Sequence, residues 1–308
     1  MRLVRWQIAP LLLMAVVAGC AGSGSSPSGG GKVPEVKEAD DLPPLPIDRY
    51  KLGKRATKEF DTARNRLAQR CMVGLGFTDF PLDPKPPKSY GSSGAPGAPG
   101  ASLLTLRRSE TPLGPLDLDQ AKRWGYGWAP AKAPLGVAGP KGRAMTDKEY
   151  AALYGRSGDA PKGGCAGQGD RQLLKGVADA THMWAYPSRR QERLEKAVAK
   201  DRRMRKAFAT WSDCVVDKGF KRYRNPEAAR QDKAWGTGRD GNTTHTQREV
   251  GTAVADIECK RKHNTLGVWW SVTAERQRAD IDRNKAVYEA VRRDLDTVRA
   301  NVRSTADG

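Results

Sequence analysis

Ten positions near the C-terminus constrain the fold of this chain more than any other feature. Trp270, Ala274, Gln277, Ile281, Asn284, Tyr288, Val291, Leu295, Val298 and Val302 alternate spacings of four and three residues. That spacing places them on one helix face, a heptad seam. An apolar helical stripe must be buried against something. The pattern allows two partners: another helix of the same chain, or a second protomer or partner protein.

Helix signals dominate the rest of the chain. Leu52, Ala56, Phe60, Ala63, Leu67 and Cys71 form a helical stripe expected to be buried, ended by Gly74 and Gly76. Asp117 with Gln120, and Thr146 with Glu149, make capping pairs for short helices closed by Gly125 and Gly155. Cys165 is expected between a Gly-rich loop and a helix over 169–183, and Pro187 is expected to break the chain. Ser188 to Val216 reads as one long helix, interrupted in its apolar stripe by Asp201. Asn225-Pro226 opens another, with Asn as cap and Pro at the first helical position, ended by Gly236. Thr246 and Glu249 open a helix carrying Val250, Val254, Ile257 and Cys259, with Gly267 as its expected kink or break. Strand signals are confined to "LLTLRR" at 103–108 and "GFKRY" at 219–223, and residues 80–101 read as irregular Pro/Gly-rich loop. The expected fold class is mainly α: a disulfide-linked helical domain with long irregular Pro/Gly-rich loops and a long C-terminal helix.

Two cysteine-bearing segments echo each other. "LAQRCMVGLGF" spans 67–77 and "TWSDCVVDKGF" spans 210–220, each with Gly-Phe five and six residues after the Cys. Four cysteines allow three connectivities. The echo favours two half-domains, 48–186 and 187–308, and with them the bridges Cys71–Cys165 and Cys214–Cys259. There is no CxxC spacing, and His182, His245 and His263 form no ligand pattern with the cysteines, so disulfides are expected rather than a metal site.

The N-terminus gives an address. Arg2 and Arg5 precede an apolar run from Trp6 to Ala18, which is too short for a membrane span of ~20 residues and suits a signal peptide over 1–19. Val17-Ala18-Gly19-Cys20 resembles the lipobox of bacterial lipoproteins. That resemblance implies cleavage before Cys20 and lipidation of its sulfur. Residues 20–47, rich in Gly, Ser and Pro, are expected to be a flexible tether, and 48–308 the helical domain. Removing residues 1–19 takes two positive charges from the formal +19 and leaves +17. A basic excess of this size suits nucleic acid. The export signal argues against that partner and points to anionic envelope material instead.

Taken with the lipobox, "WSDCVVDKGF", "GGCAG", "VADIECKRK", "AERQRADIDRN" and "RWGYGW" resemble uncharacterised secreted lipoproteins of high-GC Gram-positive bacteria. The resemblance implies an extracytoplasmic, lipid-anchored protein with paired cysteines. It implies no activity.

No GxSxG, SxxK, HExxH or Walker-type phosphate loop occurs, so neither catalysis nor a cofactor is expected. Two binding surfaces are candidates. Between Arg189 and Lys206 nine cations face three acids, with Arg189, Arg190, Arg193, Lys196, Arg202 and Arg203 as candidate anion ligands. Trp124, Tyr126 and Trp128, on a Gly-hinged turn, are candidate stacking rings. His182 and His263 read as polar residues near helix ends, and Asn242 as a loop residue. The expected function is binding, either to anionic cell-wall polymer or to an envelope protein. The alternatives are an accessory subunit of a membrane export complex and a wall-active hydrolase.

Overall fold

The structure is a computed structural model that describes residues 32–90, 110–129, 141–236, 238 and 242–306. Cys20 and the signal peptide, and the strand expected at 103–108, lie outside the described residues. Among the described residues ten α-helices carry the fold: α1 (Lys54–Gly74), α2 (Leu118–Trp124), α3 (Asp147–Leu153), α4 (Gly164–Leu173), α5 (Ala180–Val198), α6 (Arg202–Asp217), α7 (Pro226–Arg230), α8 (Gln247–Lys262), α9 (Thr265–Arg283) and α10 (Lys285–Ala306). A two-residue antiparallel hairpin joins β1 (Glu110–Thr111) to β2 (Gly114–Pro115). The mainly α fold class holds. The extended piece expected at 219–223 is irregular.

The caps legible in the sequence form. Asp117 accepts from Gln120 N at 2.9 Å, Thr146 and Thr246 each accept from the glutamate N–H three residues on at 3.2 Å, and Asn225 accepts from Ala228 N at 2.8 Å. Each satisfies an orphan N–H of a first turn. Helix α7 is shorter than expected: it stops at Arg230, and a separate 3-10 turn at Lys233–Trp235 leads to Gly236.

Both disulfides have the expected partners. Cys71–Cys165 joins α1 to α4 with Cα atoms 5.5 Å apart, and Cys214–Cys259 joins α6 to α8 at 5.8 Å. Cys165 lies inside α4, not between a loop and a later helix.

The division into halves at 186/187 does not hold. Helix α5 runs through it, with Pro187 buried in its interior. Proline there removes one backbone hydrogen bond, and its ring joins the core side of the helix. The apolar residues gather instead into three clusters. One holds Trp211, Val215, Ile257, Leu266 and the Cys214–Cys259 bridge, between α6, α8 and the start of α9. A smaller one holds Met72, Tyr150, Leu153 and Cys165. The third holds Ile47, Met183, Ile281, Tyr288, Val291, Leu295 and Val298.

The C-terminal seam is filled by the chain itself. Helices α9 and α10 meet at Asn284, and α10 packs on α1, α4 and α5. Of the seam, Ala274, Gln277, Ile281, Tyr288, Val291, Leu295 and Val298 are buried. The polar seam residues have partners: Gln277 Oε1 accepts from Ile47 N at 3.0 Å, and Asn284 Nδ2 donates to Asp280 O at 2.8 Å.

That first bond exposes an error in the expected tether. Residues 34–47 are a strap across α9. Val36 and Ile47 are 1% and 0% exposed. Asn264 holds the strap at both Val36 N (3.0 Å) and Pro34 O (2.8 Å), and Trp270 Nε1 donates to Pro43 O at 2.8 Å. Composition misleads here because two well-placed apolar anchors and side-chain bonds to the backbone suffice to seat a Pro-rich segment. The domain therefore begins before residue 48.

The strap also explains Gly267. The break expected there lies earlier, at His263 and Asn264 (φ +47), and Gly267 sits in the first turn of α9. A Cβ at Gly267 would lie 2.1 Å from Pro34 O. Gly267→Ala is expected to displace the strap and cost about 1–3 kcal/mol, as overpacking does. A lower urea midpoint with new protease cutting at 34–47 is the readout; an unchanged midpoint would show that the strap contributes nothing.

Candidate anion-binding surface

The basic region spans two helices rather than one. Helix α5 ends at Val198, and Asp201 caps α6 by accepting from Arg203 N at 2.9 Å. The acid that interrupts the apolar stripe is thus the N-cap of a new helix.

Two of the candidate cations serve the fold. Arg190 turns inward onto Asp280, which is fully buried, with its Nε 3.0 Å from Oδ2 and its Nη2 bonded to Oδ1. Tyr288 OH donates to the same carboxylate at 2.9 Å. Arg203 pairs with Asp201 (3.2 Å) and with Glu275 (2.7 Å), while Arg276 reaches Asp201 at 2.8 Å. Arg190 and Arg203 are therefore withdrawn from the anion-binding set: each is held by acids of its own chain.

The rest of the region is open. Arg189, Arg193, Lys196 and Arg202 are exposed. Lys196 lies 3.9 Å from Glu192 with both side chains mostly in solvent, a weak contact. Arg189, Arg193, Lys200, Arg202, Arg205 and Lys206 have no acid within ion-pair distance among the described residues. Positions 189, 193 and 196 recur at spacings of four and three, a single stripe along α5, and Lys200 follows in the turn between α5 and α6. Arg202, Arg205 and Lys206 share the first turns of α6. Cations there oppose the helix dipole, and an anion placed among them would relieve the repulsion.

The aromatic turn is organised differently from the expected platform. Tyr126 is 9% exposed and packs against Trp235, ring centres 6.1 Å apart. Trp124 is half-buried with its ring 5.5 Å from His245, and Trp128 is half-buried. The backbone between them is gripped from the far end of the chain. Glu249 Oε1 accepts from Tyr126 N at 3.0 Å, Asn242 bonds both Trp128 N (2.9 Å) and Trp128 O (2.7 Å), and His245 Nδ1 contacts Trp124 O at 2.9 Å. Asn242 is 3% exposed, so it is a clamp rather than a simple loop residue. A Cβ at Gly125 would lie 2.6 Å from Glu249 Oε1, which fixes glycine at this point. The turn plugs the core; three free rings for stacking are not presented.

Asp179 caps α5 through His182 N at 2.8 Å, and the His182 ring stacks on Tyr186 with centres 4.8 Å apart. Among the described residues no group of three or more His, Cys, Asp and Glu is placed to hold a metal ion, and no helix is long and apolar enough to cross a membrane.

A groove between α1 and α10 went unread in the sequence. Of the expected α1 stripe only Ala63 is buried, whereas Leu52, Ala56 and Phe60 are half-buried and line a groove of about 740 Å³. The signal was the basic residues flanking that stripe, Arg55, Lys58 and Arg66.

Carboxylates in these ion pairs make the fold acid-sensitive. Hydrogen bonds from Arg203 hold the Asp201 carboxyl well below its usual range. Burial pushes Asp280 upward, and the bonds from Arg190 and Tyr288 more than offset it. Arg143 and Thr146 hold Glu149 down to about 2 from 4.5. A carboxylate lowered in the folded state adds stability that is whole above its unfolded pKa and lost as pH falls through its folded one. These groups leave the urea midpoint flat from neutral pH to about 5, and it is expected to fall steadily below about 4.5. A midpoint unchanged at about pH 3 would contradict these pairings.

No protein-family model matches the chain, and neither does any curated protein or solved structure.

Proposed function

We propose that this chain is an extracytoplasmic lipoprotein, anchored through Cys20, that acts by binding anionic cell-wall polymer rather than by catalysis. The observation that carries the reading is the set of exposed cations on α5, α6 and the turn between them left without acids: Arg189, Arg193, Lys200, Arg202, Arg205 and Lys206. The sequence supports the setting, with a lipobox-like Val17-Ala18-Gly19-Cys20 and a formal charge of +17 beyond residue 19. Repetitive phosphate polymers present many charges at once, so a stripe of separate cations gains by adding weak contacts. The attraction is long-range and salt-sensitive. The alternative of a docking helix in an export complex gains no observation, because the C-terminal seam is filled within the chain.

The test is charge reversal. The triple variant Arg189→Glu, Arg193→Glu, Arg202→Glu removes exposed cations that have no acid within ion-pair distance among the described residues, so the fold is expected to survive. Its affinity for an immobilised glycerol-phosphate polymer is expected to drop by about tenfold or more. Undiminished binding with an unchanged circular-dichroism spectrum would refute this surface as the ligand site.

A further inference from the structure

The groove between α1 and the C-terminal half of α10 is built from two kinds of side chain. Its floor is apolar: Leu52, Ala56, Phe60 and Ala63 from the α1 side, Val298 and Val302 from α10. Positions 56, 60 and 63 recur at helical spacing, so one stripe of α1 faces the groove along its length. Trp184 of α5 stands beside it, 39% exposed, with its ring edge-on to Phe60 at 5.9 Å. An indole half in solvent next to an apolar trough suits a boundary between an apolar ligand and water.

The rim is cationic: Arg55, Lys58, Arg66, Arg299 and Arg303, against Glu59 as the one acid among the lining residues. Arg55 lies 3.4 Å from Glu59, and Arg299 lies 2.7 Å from Asp296. Lys58, Arg66 and Arg303 have no acid within ion-pair distance among the described residues. An apolar floor under a rim of one sign asks for a ligand with an apolar tail and a negative head.

Size separates a lipid from a protein. The volume of about 740 Å³ falls within the range of small-ligand sites, roughly 300–1,000 Å³. Thirteen residues line it, fewer than the roughly 20–30 per side of a stable protein interface. From Arg55 to Arg66 the rise along α1 is about 16 Å, room for an extended acyl chain rather than a partner domain. Guanidinium groups suit phosphate, which they bind through paired N–H donors.

We propose that the α1–α10 groove binds an anionic phospholipid, its acyl chain on the apolar floor and its phosphate at the cationic rim. The site is separate from the exposed cations of α5 and α6 and stands whether or not those bind wall polymer.

The test uses the full chain with two soluble short-chain lipids, dihexanoyl phosphatidylglycerol and dihexanoyl phosphatidylcholine, and counts lipid adducts by native mass spectrometry. The anionic lipid is expected to bind about tenfold tighter than the zwitterionic one, the difference expected of charge-assisted bonds. Arg66→Glu with Arg303→Glu, both exposed positions, is expected to erase that preference. Ala56→Trp is expected to fill the trough and block both lipids. The N-terminal segment is the same in every variant, so its own lipid affinity cancels. Equal binding of the two lipids, or unchanged binding in both variants, would overturn the proposal. So would an acidic amphipathic peptide that binds in an Ala56→Trp-sensitive way while neither lipid binds, which would give the groove to a protein partner.

Discussion

Replacing Lys260 with Met is expected to destabilise the domain by about 3–5 kcal/mol, the cost of leaving a buried charge without its partner. Lys260 and Asp256 are 0% and 1% exposed. Lys260 Nζ donates to Leu113 O at 3.0 Å and to Pro115 O at 2.7 Å, and it forms an ion pair with Asp256 Oδ2 at 3.1 Å. Asp256 Oδ1 in turn accepts from Trp211 Nε1 at 3.1 Å. Burial drives the two groups toward their neutral forms, Lys260 downward and Asp256 upward, and their mutual attraction opposes it. With Met at 260 the hairpin carbonyls lose their donor and Asp256 its counter-charge. The double variant Asp256→Leu, Lys260→Met is expected to recover much of the loss, because both charges leave together. Urea unfolding of the parent and the two variants measures this. A single variant as stable as the parent would mean that the pair does not hold the hairpin to α8.

Reducing the disulfides is the second large effect. Loop closure predicts a loss of about 4 kcal/mol for the 45-residue loop of Cys214–Cys259 and about 4.7 kcal/mol for the 94-residue loop of Cys71–Cys165. Either is a large part of the 5–15 kcal/mol by which a typical domain is stable. The bridges should not open together. Cys71 is half-buried, while Cys214 and Cys259 are 6% and 0% exposed. A mild reductant is therefore expected to cut Cys71–Cys165 first. Hydrogen-exchange protection is then lost across α3 and α4, which share the small cluster around that bridge. Simultaneous reduction, or loss of protection first in α6 and α8, would contradict the placement of the bridges.

Residues whose meaning is local were legible in the sequence. Asp117, Thr146, Asn225 and Thr246 cap helices wherever those helices pack, because a cap needs only the next three residues. The repeated Cys-to-Gly-Phe layout favoured, among three connectivities, the cysteine pairing that the structure has. The heptad seam was legible as a buried face, though its partner, the chain itself, was not. Residues whose meaning is set by distant chain were misread. Pro187 signals a break, yet its ring is covered by the core. The burial of Asp256 and Lys260 went unread, because two charges four apart on a helix give no local sign of it, and it follows only from the covering of α8 by α2, α6, α7 and α9. Its buried set includes Glu249, Thr252, Asp256 and Lys260, while the expected Val250 and Val254 are only half-buried. The basic region was found by composition, but composition could not tell Arg190 and Arg203, which are held by acids, from Arg189 and Arg193, which are not.

The measurement that bears most directly on the proposed function is co-sedimentation with purified cell walls, with and without their anionic polymers, across a salt series. The protein should begin at Lys32 rather than at residue 48, so that Val36 and Ile47 keep their places in the core. Binding that requires the polymers and fades as salt rises is the predicted result, because screening at about 0.15 M salt shortens the attraction to roughly 8 Å. Absence of binding at low salt, or binding indifferent to the polymers, would contradict the account and leave the exposed cations of α5 and α6 as a means of solubility.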